Sequence, residues 1–139
     1  MPKFLIQTDI PYLYSTWLNS YKRDSLIGKS VRDHIFFDNY RLVLDKIIKE
    51  SKIYVACHIN EPAVIYGYIV FDDDLIHYVY VKESFRRLGI ATSLYQKALE
   101  YGPISYITHR TYAIDKLNHN LIHNPFLLFE TQKEETYEP

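Results

Sequence analysis

The 139-residue chain contains one cysteine, one methionine, one tryptophan and four glycines. With Cys57 alone, no intrachain disulfide and no cysteine-based zinc site can form, and a reducing compartment suits such a chain. Long apolar runs are missing too. No segment approaches the roughly 20 apolar residues of a membrane-spanning helix, and the opening MPKFLIQTDIPYLY has too short an apolar run for a signal peptide. The chain therefore reads as cytoplasmic, without membrane contact. Nor does one sign of charge dominate: 16 Lys and Arg against 17 Asp and Glu give a net charge of -1. That balance excludes the broad basic field behind non-specific nucleic-acid binding and leaves room only for a local basic patch.

What is present is apolar and aromatic. Hydrophobic residues make up 47% of the sequence, enough to pack one domain over residues 1–139. Residues 3–7 read as a short strand. Asp9 and Pro11 suit the first turn of a helix, and Ile10, Leu13, Tyr14, Trp17, Leu18 and Tyr21 recur at the spacing of one helical face. A polar break with Gly28 as its turn follows. Ser30, with Asp33 three residues on, is placed to cap a second helix, whose apolar stripe runs from Ile35 to Ile48.

The period then changes. Residues 53–59, 64–71 and 75–81 are β-branched and aromatic, with turns at NEPA and at Asp72, Asp73 and Asp74. Such short turns make an antiparallel meander. Ile90, Ala91, Leu94, Tyr95 and Ala98 then mark a helix that Gly102 and Pro103 end. A strand at 104–108, a short helix and loop, and a last strand at 126–129 after Pro125 complete the order. The helix after the meander permits a parallel crossover, so the expected fold is α/β with a mixed sheet.

The junction between the third meander strand and its helix reads VKESFRRLGIAT, residues 81–92. A helix start carries backbone N–H groups without partners and a partial positive charge. A glycine turn lets those groups approach an anion closely, and Arg86 and Arg87 add formal charge. Gly89 lacks an obstructing Cβ and Ala91 is small, as a pyrophosphate cradle requires.

Arg86, Gly89 and Ala91, following Val79 and Val81, resemble the acetyl-CoA motif of the GNAT acetyltransferase superfamily. That motif is Gln or Arg, two residues, Gly, one residue, then Gly or Ala, after a strand ending in an aliphatic residue. Phe85, Ile90 and Leu94 also match family positions. The resemblance implies a GNAT-like fold, its mixed sheet splayed between the fourth and fifth strands, and acetyl-CoA (CoA) as cofactor. It implies that Leu88, Gly89, Ile90, Ala91 and Thr92, with Arg86 and Arg87, hold the pyrophosphate. It further implies a pantetheine arm lying in the gap against Val79 and Val81, with the strand at 105–108 across it. Glu83 departs from the family's frequent proline, and Arg87 from its common glycine. The family's general-acid tyrosine falls near Leu117, so Tyr112 is the nearest candidate.

Acetyl transfer to an amine needs a neutral nucleophile, a polarised thioester carbonyl and a proton for the leaving thiolate. His77 lies two residues before Val79 and would share its strand face. It reads either as the general base, a task its ordinary pKa suits, or as a buried histidine satisfied by a neighbour. His119 and His123 are spaced to share a helix face, but no third ligand is evident and no metal is expected. The expected activity is acetyl-CoA-dependent N-acylation of a primary amine on a small molecule, peptide or protein. Two alternatives stand beside it. THRTY with HNPFLLF is faintly similar to small phage GNAT-like proteins of the Mom type, which modify nucleic-acid bases, and a CoA-binding module without catalysis fits the displaced tyrosine.

Overall fold

The computed structural model describes residues 2–4, 7–117 and 120–128. β1 (Pro2–Phe4) is followed by α1 (Ile10–Asp24), α2 (Leu26–Ser30) and α3 (Asp33–Glu50). The meander is β2 (Lys52–Cys57), β3 (Ile65–Asp72) and β4 (Leu75–Val81). Then come α4 (Ile90–Leu99), β5 (Tyr106–Ile107), α5 (Tyr112–Lys116) and β6 (Ile122–His123). The strands lie in sequence order in one mixed sheet, antiparallel from β1 to β4 and parallel from β4 to β6.

Each face of the sheet buries its own layer of helices. Leu13, Trp17 and Leu18 of α1 and Leu44 and Ile47 of α3 pack with Ile53, Val55, Cys57, Tyr68, Val70 and Tyr78. Leu94 and Ala98 of α4 and Ala113 and Ile114 of α5 pack on the opposite face with Ala56, Ile69, Phe71, Ile76, Val79 and Val81. The alternation of strand side chains and the 3.6-residue period of the helices produce this three-layer arrangement directly. Cys57 is buried in the first layer as packing.

Four local expectations are corrected. Gly28 is not a turn but part of α2, whose cap is Ser25, accepting from the Gly28 N–H at 2.9 Å. A Cβ on Gly28 would stand 2.4 Å from the Lys22 carbonyl oxygen, so the residue is small because α2 presses on the end of α1. Ser30 ends α2 instead of capping α3, whose N-cap is Arg32. The strand read at 104–108 is only the two residues of β5. The last strand precedes Pro125: Pro125–Leu128 forms a 3-10 turn, since a proline supplies no N–H to a sheet ladder, and Phe129 lies outside the described residues.

Candidate active site

β4 and β5 are joined only at their beginnings. Ser105 and Tyr106 donate to the Asp74 carbonyl at 2.7 and 3.1 Å, and the Thr108 N–H donates to the Ile76 carbonyl at 3.0 Å. β5 then ends, while β4 continues to Val81. The register explains which groups face the resulting gap. Val70 pairs with Tyr78 and Phe71 with Ile76, so His77 is a bulge that shifts the two-residue alternation by one. Beyond it Val79 and Val81 share the side of Ile76, and Tyr78 and Tyr80 face α1 and α3. By the same alternation the backbone groups of Val79 and Val81 face the gap. The wall opposite them is formed by α5 and the residues before it, not by 105–108 as expected.

After β4 the chain makes one 3-10 turn (Glu83–Phe85) and enters α4 through two left-handed residues, Arg87 at φ 67° and Gly89 at φ 79°. Gly89 is the N-cap of α4 and provides no side-chain acceptor, so the first N–H groups of this ten-residue helix remain for a ligand. An added Cβ on Gly89 would meet nothing within 4 Å. In front of the turn lies a cavity of about 420 Å³, lined by Val81, Phe85, Arg86, Arg87, Gly89 to Thr92 and, from α5 and its end, Tyr112, Ala113, Lys116 and Leu117. Phe85 packs on Tyr66, ring centroids 4.3 Å apart. Leu88 is exposed and does not line the cavity.

A throat of only about 30 Å³ runs along the free edge of β4, with Val79, Tyr80 and Val81 on one side and Arg110, Thr111, Tyr112 and Ala113 on the other. On its far side is an open groove of about 1290 Å³, rimmed by Tyr21, Asp24, Leu26, Ile27, Lys82 and Arg110. Arg86 and Tyr112 line all three spaces. The Arg86 Nε donates to the Val81 carbonyl at 3.2 Å, and its guanidinium lies 4.4 Å from the Tyr112 ring centroid. Lys116 approaches the same ring at 5.3 Å.

From residue 13 to residue 123 the sequence matches the model of the Acetyltransferase (GNAT) family. The chain belongs to that family. No functionally curated protein matches it in sequence. Solved structures share the fold. A Pyrococcus furiosus protein superposes with a TM-score of 0.56 at 17% identity, over 100% of this chain and 94% of its own. The Corynebacterium glutamicum protein named "histone acetyltransferase HPA2 and related acetyltransferase" gives 0.57 at 13% identity, over 73% and 70%. Apo YjaB from Escherichia coli gives 0.55 at 13% identity over 73% of this chain, and the match covers 65% of YjaB. At these identities the likeness shows the fold alone.

GNAT acetyltransferases generally bind acetyl-CoA, and the residues of this GNAT chain fit that donor. The uncapped start of α4 and the cations Arg86, Arg87 and Lys116 surround the first cavity, as a diphosphate requires. The edge at 79–81, which no strand covers among the described residues and whose Val81 carbonyl meets Arg86 Nε, suits an amide-bearing arm that pairs like a strand. Lys116, Ala113 and Leu117 escaped the sequence reading because their segment reads as polar. The apolar spacing of Ala113, Ile114 and Leu117 was the available signal.

The two catalytic candidates fare differently. Tyr112, at the start of α5, is beside the throat. His77 is fully buried, and its Nδ1 sits 2.9 Å from the Thr108 hydroxyl. Burial pushes its pKa down to about 4. Its reading as a base assumed an unbroken alternation, and the bulge turns it away from the gap. His123 sits on β6, not on a helix, and His119 lies outside the described residues. Asp24, the last residue of α1, lines both throat and groove.

Proposed function

We propose that this protein is an acetyl-CoA-dependent N-acyltransferase acting on a primary amine that reaches the throat through the groove. One observation carries the proposal: the free edge of β4 runs straight into an uncapped, cation-flanked helix start, so a single extended donor can use both. Bound acetyl-CoA would supply an activated acyl group as a thioester. The chain's own part is to orient it and manage protons. Backbone groups of Val79 and Val81 align the arm, and the start of α4 with Arg86 and Arg87 holds the diphosphate. Tyr112 gives a proton to the departing thiolate. Asp24, the only carboxylate lining the throat among the described residues, meets the incoming amine and takes the proton it loses. Arg23 donates to both Asp24 carboxylate oxygens, at 3.0 and 3.2 Å. Nucleic-acid base modification ranks second, because Lys22 is occupied by Asp33 at 3.0 Å and Arg23 by Asp24, leaving few cations near the helices for phosphate.

The cofactor part is tested by heat. CoA at a hundredfold excess over its Kd stabilises a protein that binds it only when folded by about 2.7 kcal/mol, several degrees in thermal midpoint. Gly89→Val should lose that gain, because a β-branched residue is strained at φ 79° and cannot keep the cradle. An undiminished CoA response in folded Gly89→Val would remove the cradle from the account. Mass spectrometry of an amine, peptide and DNA panel incubated with acetyl-CoA then identifies the acceptor class.

A further inference from the structure

A line of buried and half-buried side chains joins three elements beside the gap. Trp17 on α1 donates its indole N–H to the Tyr40 hydroxyl on α3 at 3.1 Å. The Tyr40 hydroxyl lies 2.5 Å from His109 Nε2. His109 Nδ1 and His77 Nδ1 each lie 2.9 Å from the Thr108 hydroxyl, between them. Both histidines are buried, and His77 Nε2 has no hydrogen-bond partner among the described residues.

The chemistry of the groups sets a direction. An indole N–H can only donate, so the Tyr40 oxygen accepts, and its own proton is free to go to His109 Nε2. A neutral imidazole that accepts at Nε2 carries its proton on Nδ1, so His109 donates to Thr108. The Thr108 proton passes on to His77 Nδ1, and His77 keeps its proton on Nε2. Reversing the line would leave the Tyr40 proton without its acceptor in the line while His77 Nε2 stayed unpartnered, which is worse by one hydrogen bond. Burial holds both rings in the neutral form that the line needs, with pKa values down to about 4 for His77 and about 3 for His109.

The anchor points of this line are where the sheet opens. His77 is the bulge of β4, Thr108 makes the last backbone bond from β5's side to β4, and His109 follows it. A strand edge with free N–H and C=O groups attracts another strand, so residues after Thr108 have a natural alternative: continuing beside Val79 and Val81. We propose that the line from Trp17 through Tyr40, His109 and Thr108 to His77 is a positioning device that clamps the end of β5 to α1 and α3, and so holds open the gap between β4 and α5. Thr108, His109 and Tyr40 are positioning residues in this account. The inference rests on the CoA reading of the gap for one of its two readouts.

The test combines ¹⁵N histidine spectra with CoA titration of the full chain. His109 should show the Nδ1–H tautomer and His77 the Nε2–H tautomer. Tyr40→Phe should shift His109 toward Nε2–H. Thr108→Val, which keeps shape and removes the hydroxyl, should weaken CoA binding about tenfold, the scale of one lost buried hydrogen bond. Thr108→Ser should restore affinity to within about twofold. Finding His109 as Nε2–H in the unmodified protein, or CoA affinity unchanged in Thr108→Val, would overturn the proposal. If the unmodified protein bound no CoA, the cofactor reading would fall and the tautomers alone would decide the clamp.

Discussion

Arg87 holds a backbone conformation that costs an L-residue about 1–2 kcal/mol, at the position where GNAT relatives commonly have glycine. Arg87→Gly should therefore raise stability by about 0.5–1 kcal/mol, once glycine's greater freedom in the unfolded chain is subtracted. An unchanged or lowered urea midpoint would show that the turn is not strained there. The buried histidines give a second residue-scale expectation. Unfolded histidine binds a proton below about pH 6.5, whereas folded His77 and His109 do so only near pH 4 and 3. Between those limits the unfolded chain carries more protons. Stability should thus be full above about pH 6.5 and fall as pH drops toward 4, by up to about 1.4 kcal/mol per pH unit for each histidine. Unfolding free energies at pH 7.5, 6 and 5 measure it, and a flat profile would contradict neutral burial. The turn at Gly89 and the arginines beside the cavity were legible because a glycine at a strand-to-helix junction is a local pattern. The place of His77 was not, because a bulge is visible only in the pairing of two strands.

Helices α1, α3 and α4 and the meander were readable because each keeps one period over several turns or residues, and burial enforces that period. The small elements were not. α2 is five residues long, and its Gly28 looks like a turn in sequence but serves a close approach between helices. Gly28→Ala should destabilise the protein by about 1–3 kcal/mol, because its methyl would meet the backbone of Tyr21 and Lys22 within 2.6 Å. A variant as stable as the parent would mean that α2 can lift from α1 at no cost. β5 and β6 pair over two residues each, too few for any periodicity to register. Their brevity is functional in this account: a longer β5 would cover the edge of β4 that the donor needs. α5, capped by Thr111 accepting from the Ile114 N–H at 3.1 Å, takes the far wall in its place.

Across the whole molecule, a three-layer scaffold holds one edge of one strand free and points it at the start of one helix. The net charge of -1 adds no long-range attraction, so in the proposed function recognition would fall to local groups: backbone amides along β4, the turn into α4, and Arg86, Arg87 and Lys116. The family match establishes the acetyltransferase kinship, and the proposed function places its chemistry at this edge. The most direct measurement is a ¹H–¹⁵N amide spectrum recorded while CoA is added. The account predicts the largest shifts at Val79 and Val81 and from Gly89 to Thr92, with smaller ones at Tyr112 and Ala113 and none on α3. Shifts that spared both the β4 edge and the start of α4, or a spectrum unchanged at saturating CoA, would contradict it.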